Sequence, residues 1–527
     1  MFKKRTLYLS AALLTLPLVA NASPSLFATS TDLLPLLEQL NEQCAPLPAS
    51  LDENARQLLL GFYAQRSGQP AWQDSAQLLQ LHAQIEQLAD DGLFPNEYPL
   101  PLVAKVQVER HDCADLLTSH SYLQALLHLR RGRVSQQRLE PLWRAPELTQ
   151  PDLQLATLSL ALLHLHNPAQ AFASARPTTL PYQQLRQAYA QRRQQTLGDW
   201  AALPGGPLLR PQGKDERLPA LRARLQAEGY LSAPADDSGT QFDSATLAAL
   251  QAFQSDHGLN PDGMLGPASL NELNLGALAR REQLRANLER LRWLADDMAS
   301  AEVLINVAAA ELMVAQHGQE VWRTRTQVGR PERQTPLLAS RIERLTLNPT
   351  WTVPPTILRE DKLPEIRDDP DYLARHQFSV FDRDGQPLDP QTVDWDNPGA
   401  IKLRQSAGSH NPLGRVALRF ANPFAVYLHD TPSQQLFSKA PRPFSSGCVR
   451  IEAVDSLLAW LLPVEQLEDV HARIGSGDTQ QYRLPRPAPL LIAYWTVEAS
   501  ASGQLRYLPD IYGWDAKLIQ ALAARSP

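Results

Sequence analysis

The spacing of the apolar residues changes at Glu302, and this change constrains the fold more than any other feature of the chain. Before Glu302, leucines recur every three or four residues, which predicts amphipathic α-helices. After it, Val303, Ile305 and Val307 occupy alternate positions, which predicts β-strands. We therefore predict a multi-domain α+β protein with its helices first and its strands later.

Length and composition limit the classes of protein to be considered. At 527 residues the chain is long enough for roughly three to four domains. Its 43% hydrophobic and 20% charged residues are those of a globular protein. The formal net charge of −6 gives no general attraction to nucleic acid or anionic lipid, so a nucleic-acid partner is not expected.

The N-terminus has the pattern of an export signal. Lys3, Lys4 and Arg5 precede an apolar run at 7–19, and the small-x-small sequence at 20–22 is typical of a cleavage site. The run is shorter than the ~20 residues that span a bilayer. We predict a signal peptide over 1–22 that is removed after export, with an uncleaved membrane anchor as the alternative.

Export gives the cysteines a chemical context. Cys44 and Cys113 both lie in the N-terminal region, and disulfides persist outside the cytoplasm. A bridge between them would stabilise the fold by roughly 4 kcal/mol in the chain-entropy model. Two unpaired buried thiols are the alternative, and the sequence leaves both open.

Residues 23–205 are predicted to form a helical domain, with breaks at Asp91-Gly92 and Gly132. The run His111-Asp112-Cys113 suggests a metal site only superficially, because three adjacent side chains cannot easily face one ion. The helical spacing is carried by leucine stripes at 33–40, 78–88 and 117–129.

A linker at 204–207 precedes a more compact pattern in residues 213–276. Gly229 and Gly258 follow two leucine stripes and suit helix C-termini. A further helix over 280–299 is predicted to connect this module to the region after it. The module itself is predicted to contain three short helices, around 218–225, 247–253 and 270–273.

Residues 300–480 are predicted to form a mostly antiparallel β sandwich or barrel. A charged, helix-like segment at 355–408 interrupts the strands, and its charges argue against a buried core. Long insertions between core strands are usually functional, and this one is expected to form a flap. Residues 481–527 are assigned to a C-terminal segment. Strands are expected at 321–328, 342–347, 416–420 and 424–430.

A single cysteine in this region has the context of a nucleophile. Cys448 follows Ser446 and Gly447 and lies 19 residues after His429. A nearby histidine is the usual means of making a nucleophilic thiolate. Small residues before the cysteine let backbone amides approach a substrate carbonyl and stabilise an oxyanion. The alternative is a buried small hydrophobic cysteine and an unrelated core histidine.

The neighbours of this pair have predicted roles as well. Strand alternation puts Tyr427 on the same side as His429. If Cys448 lies close to the start of the helix predicted over 455–462, the helix dipole would favour its thiolate. Arg450 adds positive charge, and it either binds a substrate carboxylate, supports the nucleophile loop or forms a structural salt bridge.

A thiolate with an oxyanion pocket implies acyl transfer in two steps. The thiol attacks an amide and expels an amine, and a second nucleophile then takes the acyl group. His429 would act as general acid and base in both steps. No metal-ligand spacing occurs among the 12 histidines and no Gly-rich phosphate loop follows a strand, so we expect neither metal nor cofactor.

The segment around Cys448 resembles the Ser-x-Gly-Cys-x-Arg motif of the L,D-transpeptidase (YkuD) family, in which a His-containing strand comes first. Residues 213–276 are similar to the small three-helix peptidoglycan-binding domain. The helices before them resemble the scaffold domain of the large periplasmic YcbB-like subgroup of that family. This subgroup is also resembled at 333–336, 347–355, 411–414 and 510–513.

The resemblance implies a periplasmic enzyme that cross-links peptidoglycan. Cys448 would attack the stem tetrapeptide before its terminal D-alanine, and the acyl group would pass to the third residue, diaminopimelate, of a neighbouring stem. Asp430 would orient His429 through its main chain. Residues 355–408 would form a lid over the cleft. Contacts to the oxyanion or substrate are expected from Tyr427, Ser446, Gly447 and Arg450.

The resemblance implies peptidoglycan stems and glycan as partners, with other cell-wall synthesis proteins as further candidates. Sensitivity of Cys448 to carbapenem acylation follows from it too. Two alternatives remain at this stage. An L,D-carboxypeptidase would trim stems with the same thiol, because water and amine compete for one thioester. A wall-binding scaffold would not need Cys448 at all.

Overall fold

The computed structural model describes residues 32–38, 44, 53–100, 111–148, 152–195, 201–232 and 239–524. The predicted signal peptide over 1–22 lies outside these ranges. Within them, no helix is both long enough and apolar enough to cross a membrane.

The N-terminal region is helical, as predicted. Two of its helices begin at aspartate caps: the Asp74 carboxylate accepts from the Ala76 amide at 2.9 Å, and that of Asp152 accepts from the Gln154 amide at 2.9 Å. The helices are α1 Leu34–Glu38, α2 Glu53–Gln65, α3 Ser75–Gln87, α4 His111–Arg131, α5 Gln136–Leu139, α6 Leu153–Leu163, α7 Pro168–Ala175 and α8 Leu180–Gln194, with 3-10 turns at Leu88–Asp91 and Pro95–Glu97.

Cys44 and Cys113 form a disulfide across 69 residues of sequence. Both half-cystines are buried in the apolar core of this region, beside Leu116 and Phe62. Of the two alternatives left open by the sequence, the bridge is therefore the one present.

The next module contains the three predicted helices, α9 Leu218–Ala227, α10 Ser244–Asp256 and α11 Pro267–Leu273. Asp243 caps α10 by accepting from the Thr246 amide at 2.7 Å. Gly229 and Gly258 have positive φ angles of 85° and 60° directly after the first two helices, as their positions predicted. Leucines and Phe253 fill a separate small core.

The predicted connecting helix is two helices, α12 Ala277–Trp293 and α13 Ala295–Ser300. Every residue of α12 from Gln283 to Trp293 is buried, including Arg290 and Arg292. A helix with so many buried charges needs internal partners. Arg290 finds them in Glu140, before the first strand, and in Asp515, near the C-terminus.

The strands after α13 form one closed ring, so the predicted β region is a barrel. The order is β5-β10-β11-β13-β4-β3-β2-β14, and β14 pairs back onto β5. Most of the pairs are antiparallel, but β11–β13 and β14–β2 are parallel. The strands are β2 Val303–Asn306, β3 Glu311–Gln316, β4 Gln319–Gly329, β5 Leu338–Leu347, β10 Val416–Phe420, β11 Leu428–His429, β12 Pro443–Ser445, β13 Val449–Ile451 and β14 Gln480–Ala493.

Two strands extend this ring, and helices pack around it. Strand β1, Trp143–Arg144, belongs to the helical region and pairs with β5, while β12 pairs with β4. The other elements of this part are α17 Val454–Leu461, α18 Val464–Gly475, β15 Val497–Ala499, β16 Leu505–Tyr507 and α19 Asp515–Ala523, with 3-10 turns at Pro331–Arg333 and Gln434–Ser438.

Two sequence predictions about this region are wrong. The strand expected at 424–430 is only β11, because Ala425 has a φ of +55° and breaks the extended backbone before it. The division at 480 does not separate a C-terminal segment, because β14 starts there and closes the barrel. Local sequence patterns show where turns interrupt the chain. They do not show which strands, distant in the sequence, pair to close a barrel.

The lid (residues 355–408) has a core of its own, contrary to the expectation from its charges. Leu363, Tyr372 and Val380 are buried there, and three strands of the lid form an antiparallel sheet with one strand that directly precedes it. Gly385, with a φ of +87°, lies in the turn between β7 and β8. The elements are β6 Trp351–Thr352, α14 Pro355–Ile357, a π-helix Leu358–Lys362, α15 Leu363–Asp368, α16 Tyr372–Arg375, β7 Phe378–Phe381, β8 Pro387–Leu388, a 3-10 turn Pro390–Thr392 and β9 Lys402–Gln405.

Candidate active site

Two adjacent parallel strands bring the predicted nucleophile and histidine together. In the register of β11 and β13, Leu428 lies opposite Val449 and His429 lies opposite Arg450. Leu428 and Val449 point into the barrel core. Because side chains alternate along a strand, His429 and Arg450 project from the other face, and Cys448, one residue before Val449, lies on that face too.

The ring of His429 is fixed by its own backbone neighbour. Its Nδ1 donates to the carbonyl oxygen of Asp430 at 2.5 Å. A carbonyl only accepts, so the proton is on Nδ1 and Nε2 has a free lone pair. Burial, followed by the positive charge of Arg450, lowers the pKa of His429 to about 3. The imidazole is therefore neutral at physiological pH.

The Asp430 side chain has a different partner from its main chain. Its carboxylate accepts from the Arg415 amide at 2.9 Å and forms an ion pair with the Arg415 guanidinium at 3.3 Å. Gly414 packs directly against it, where a Cβ would lie 2.5 Å from the carboxylate. Asp430 thus holds His429 through its main chain, the arrangement that the resemblance implied.

The loop before Cys448 is shaped by Ser445, which the sequence analysis did not single out. The Ser445 hydroxyl donates to the Cys448 carbonyl at 2.5 Å and accepts from the Gly447 amide at 3.1 Å. Gly447 has a φ of +116°, which glycine adopts without strain. The Thr335 hydroxyl fixes the other side of the loop by donating to the Gly447 carbonyl at 2.9 Å.

These hydrogen bonds revise the predicted oxyanion donors. The Gly447 amide is already used by Ser445, so it does not point to a substrate. Within the described part of the chain, the amides of Ser446 and Cys448 have no hydrogen-bond acceptor. Two free amides beside a nucleophile are the geometry that stabilises a developing oxyanion.

Cys448 is half-buried and is the free cysteine of the described residues. Burial raises the pKa of its thiol, although Tyr427, Arg419 and Arg450 all act in the opposite direction. The predicted help from a helix dipole is absent, because β13 follows Cys448 and α17 begins only at Val454. The resting pair is therefore a neutral thiol beside a neutral imidazole.

Two arginines supply positive charge on the face that carries Cys448. Arg450 donates to the Gln327 side chain at 3.0 Å, and Arg419 lies over the Tyr427 ring at 3.9 Å from its centroid. Among the described residues, no carboxylate lies within ion-pair distance of either guanidinium. The alternative of a structural salt bridge for Arg450 is therefore wrong for this part of the chain.

Ser446 connects the nucleophile loop, residues 445–448, to the lid. Its hydroxyl accepts from Arg333 at 3.1 Å, and the same guanidinium pairs with Asp361 at 2.7 Å and Glu360 at 2.5 Å. Both carboxylates belong to the π-helix of the lid. The lid thus lies next to the nucleophile loop, as expected from its place in the sequence.

Several residues of the site escaped sequence reasoning. Ser445 and Thr335 lie within segments that resemble the family. Their position within these segments, together with their hydroxyl groups, is the sequence signal that could have indicated them. Tyr512, whose hydroxyl accepts from the Thr335 amide at 2.9 Å, also lies in such a segment. Arg419 is an ordinary strand arginine with no motif around it, and no sequence pattern marks it.

No group of three or more His, Cys, Asp or Glu side chains in the described ranges has the arrangement of a metal site. The chemistry offered by the site is that of a thiol, an imidazole with a free nitrogen, two free amides and two guanidinium groups.

Comparison with known proteins agrees with this geometry. Residues 300–471, which contain both Cys448 and His429, match the family described as "L,D-transpeptidase catalytic domain" (YkuD). The chain carries a YkuD-type L,D-transpeptidase domain. Residues 57–188 match a scaffold domain, and residues 214–273 match a "Putative peptidoglycan binding domain". The predicted fold class is confirmed by these three matches and the observed elements.

The chain is also similar to a curated protein of Haemophilus influenzae named "Putative L,D-transpeptidase", with 32% identity over 242 residues. The alignment covers 45% of this chain, and the chain spans about half the length of that relative, 49%.

Solved structures of L,D-transpeptidases are less similar to this chain. One from Stackebrandtia nassauensis is 13% identical, with 56% of this chain and 97% of that chain covered and a TM-score of 0.21. One from Mycobacterium smegmatis is 14% identical, with 37% and 59% covered and a TM-score of 0.17. Values this low support no inference, so the assignment of the L,D-transpeptidase domain rests on residues 300–471.

Proposed function

We propose that this protein is a peptidoglycan L,D-transpeptidase that joins the third residues of neighbouring stem peptides through a thioester on Cys448. The observation that supports it best is the pairing of β11 with β13. This pairing puts Cys448 and a backbone-oriented His429 on one face of the L,D-transpeptidase domain.

The first step is acylation of the thiol. The Cys448 sulfur attacks the carbonyl carbon of the third stem residue while Nε2 of His429 takes the thiol proton. The carbonyl oxygen becomes an oxyanion, which the Ser446 and Cys448 amides stabilise. The C–N bond to D-alanine then breaks, and His429 returns the proton to the leaving amine. The product is a thioester, and its energy makes ATP unnecessary.

The second step transfers the acyl group. The side-chain amine of diaminopimelate on another stem attacks the thioester, and His429 accepts a proton from that amine. As the new C–N bond forms, the C–S bond breaks and His429 gives the proton to the departing sulfur, which regenerates the thiol. Both stems carry carboxylates close to the reacting bonds. Arg450 and Arg419, which have no carboxylate partner in the described chain, are suited to bind them.

The lid decides between amine and water in this scheme. A covered thioester is shielded from hydrolysis, which favours cross-linking over trimming. The contact from Arg333 to Ser446, Glu360 and Asp361 supports a closed position beside the nucleophile loop. Carboxypeptidase activity is then the side reaction of an open lid.

An exported location fits the same proposal. Peptidoglycan lies outside the cytoplasm, and the Cys44–Cys113 disulfide is of a kind that persists in oxidising compartments. The peptidoglycan-binding domain supports the wall polymer as the partner.

The deciding experiment is mass spectrometry of disaccharide-tetrapeptide incubated with the mature protein. Transfer gives a cross-linked dimer and free D-alanine, whereas hydrolysis gives only a monomer shortened by one alanine. Cys448→Ala should give neither product, since a small residue replaces a small one and the fold remains. Dimer formation by this variant above a no-enzyme control would refute the nucleophile assignment.

A carbapenem provides an independent probe of the thiol. We expect one adduct per protein, located on the peptide that contains Cys448, because a strained amide meets a nucleophile built for acyl chemistry. An intact-protein spectrum without any adduct, or with one elsewhere, would contradict the proposal.

A further inference from the structure

A large cavity lies away from Cys448, where four parts of the chain meet. Its volume is about 1080 Å3, ample for a peptide with an attached sugar. Its walls come from the end of α8, the peptidoglycan-binding domain, the start of α12 and the β15–β16 hairpin. None of its lining residues belongs to the site around Cys448.

The floor of the cavity is closely packed. The His257 ring stacks between Phe253, at 3.9 Å, and Tyr507, at 5.1 Å between ring centroids. Arg280 covers the other part of Tyr507 at 4.5 Å and pairs with Glu272 at 2.6 Å. Rings from the peptidoglycan-binding domain and from the hairpin therefore form one continuous packed surface.

The acidic groups of the cavity are already engaged. Glu228 forms an ion pair with Arg224. Asp256 accepts from the Tyr230 hydroxyl at 3.2 Å and from the Gln504 amide at 3.3 Å. These contacts leave little negative charge to attract a cation.

Two basic side chains of the cavity, unlike its acidic ones, have no partner among the described residues. Arg192 and Arg281 both line the cavity, and neither guanidinium has an ion pair or hydrogen bond within the described ranges. Arg280, of which only 7% is exposed, also lines the cavity and has a buried Nε with no hydrogen-bond partner in the described chain. The cavity thus has unused donors on a positively charged wall.

We propose that this cavity binds the stem peptides of peptidoglycan, with Arg192 and Arg281 holding their carboxylates. Guanidinium groups bind carboxylates by charge-assisted, often bidentate hydrogen bonds. Tyr230 provides an aromatic surface beside them. This inference rests on the proposed function for its ligand, and it adds where the polymer is held and which of its groups are recognised.

The cavity would then be a second binding site for the polymer, in addition to the site around Cys448. A strand of peptidoglycan held in the cavity raises the local concentration of other stems around Cys448 without taking part in the chemistry. The cavity therefore affects use of the polymer and not that of small soluble stems.

The test uses the full mature chain with Cys448→Ala, so that binding is measured without turnover. Arg192→Glu with Arg281→Glu is compared with Arg56→Glu and Arg138→Glu, two exposed arginines that line no part of the cavity and give the same change in charge. The probes are sacculi with intact stems and sacculi whose stems have been removed by an amidase, and bound protein is measured by sedimentation.

We expect the cavity variant to lose at least tenfold in affinity for stem-bearing sacculi, and the control variant to bind as the parent does. Stripped sacculi should bind the parent weakly and should not distinguish the variants. Equal binding by both variants would overturn the proposal, as would parent binding to stripped sacculi as strong as to intact ones.

A parallel assay separates this proposal from the proposed function. With Cys448 intact, the cavity variant should cross-link soluble disaccharide-tetrapeptide at the parent rate. If the parent itself formed no dimer, the transpeptidase function would fail, while the sedimentation result would still decide the cavity. A loss of soluble cross-linking in the cavity variant would mean that the cavity serves the reaction itself, contrary to the inference.

Discussion

Single residues at the site are held in uncharged forms by burial. His429 has a pKa lowered to about 3, and the pKa of Cys448 is raised above its usual range. A preformed thiolate–imidazolium pair would need the reverse of both shifts. In the proposed reaction, proton transfer from sulfur to Nε2 therefore accompanies the attack on substrate.

This assignment predicts the pH dependence of Cys448 alkylation by iodoacetamide. The thiol is protonated below its raised pKa, so the rate should rise only above pH of about 8.5, the ordinary cysteine value. Between pH 4 and 8 there should be no reactive plateau, because His429 is neutral there. Arg450→Met should move the rise to still higher pH. A plateau with an apparent pKa below about 6 would show an ion pair and contradict the assignment.

Ser445 and Ser446 provide a matched pair of serines. Ser445 is buried and bonds both Gly447 and Cys448, whereas Ser446 is exposed and contacts Arg333. Ser445→Ala should lower kcat roughly 10- to 100-fold by misplacing the nucleophile. Ser446→Ala should change kcat less than about threefold. Steady-state release of D-alanine measures both, and equal effects would argue against a positioning role for Ser445.

At the level of elements, the π-helix Leu358–Lys362 connects the lid to the nucleophile loop. It presents Glu360 and Asp361 to Arg333, which also bonds Ser446. The lid has its own core and sheet, so it is a folded unit rather than a loose loop. Removing residues 362–396 would destroy that sheet. Point substitutions at the contact with Arg333 therefore test the role of the lid more specifically.

Glu360→Gln combined with Asp361→Asn should shift the product from dimer towards trimmed monomer. Ion pairs at exposed positions are weak because water and salt screen them, so we expect the dimer-to-monomer ratio to fall only roughly two- to fivefold. Asp368→Asn with Asp371→Asn makes the same change in charge within the lid but away from Arg333. Liquid chromatography of the products measures the ratio. An identical fall in the control pair would assign the effect to charge alone.

Across the whole molecule, α12 joins the parts of the chain. Its Arg290 is completely buried and binds Glu140 from the helical region at 2.7 Å and Asp515 from α19. The Thr496 hydroxyl donates to Asp515 at 2.9 Å, which adds the end of the barrel to the network. These contacts hold the helical scaffold against the barrel.

Glu140→Gln should lower the free energy of unfolding by about 3 kcal/mol, because it leaves the buried guanidinium without one of its two carboxylates. Glu147→Gln, at an exposed position nearby, should change it by less than about 0.5 kcal/mol. Urea denaturation followed by tryptophan fluorescence measures both. Equal midpoints for the two variants would mean that the network does not stabilise the assembly of domains.

Sequence alone determined the features that are encoded in contiguous residues. The helices of the N-terminal region and the three-helix module follow from leucine spacing, and β10 lies where the alternation at 416–420 predicted it. The roles proposed for Cys448 and His429 could be read from a short motif, because a nucleophile loop and its strand are local in the chain.

Only the tertiary structure decided what depends on distant residues. The pairing of β14 with β5 closes the barrel and makes the last part of the chain integral to it. The contact of Arg333 with Asp361 and the unpaired charge of Arg419 beside Tyr427 have no local pattern. The low pKa of His429 arises from desolvation, which exists only once the surrounding strands have packed.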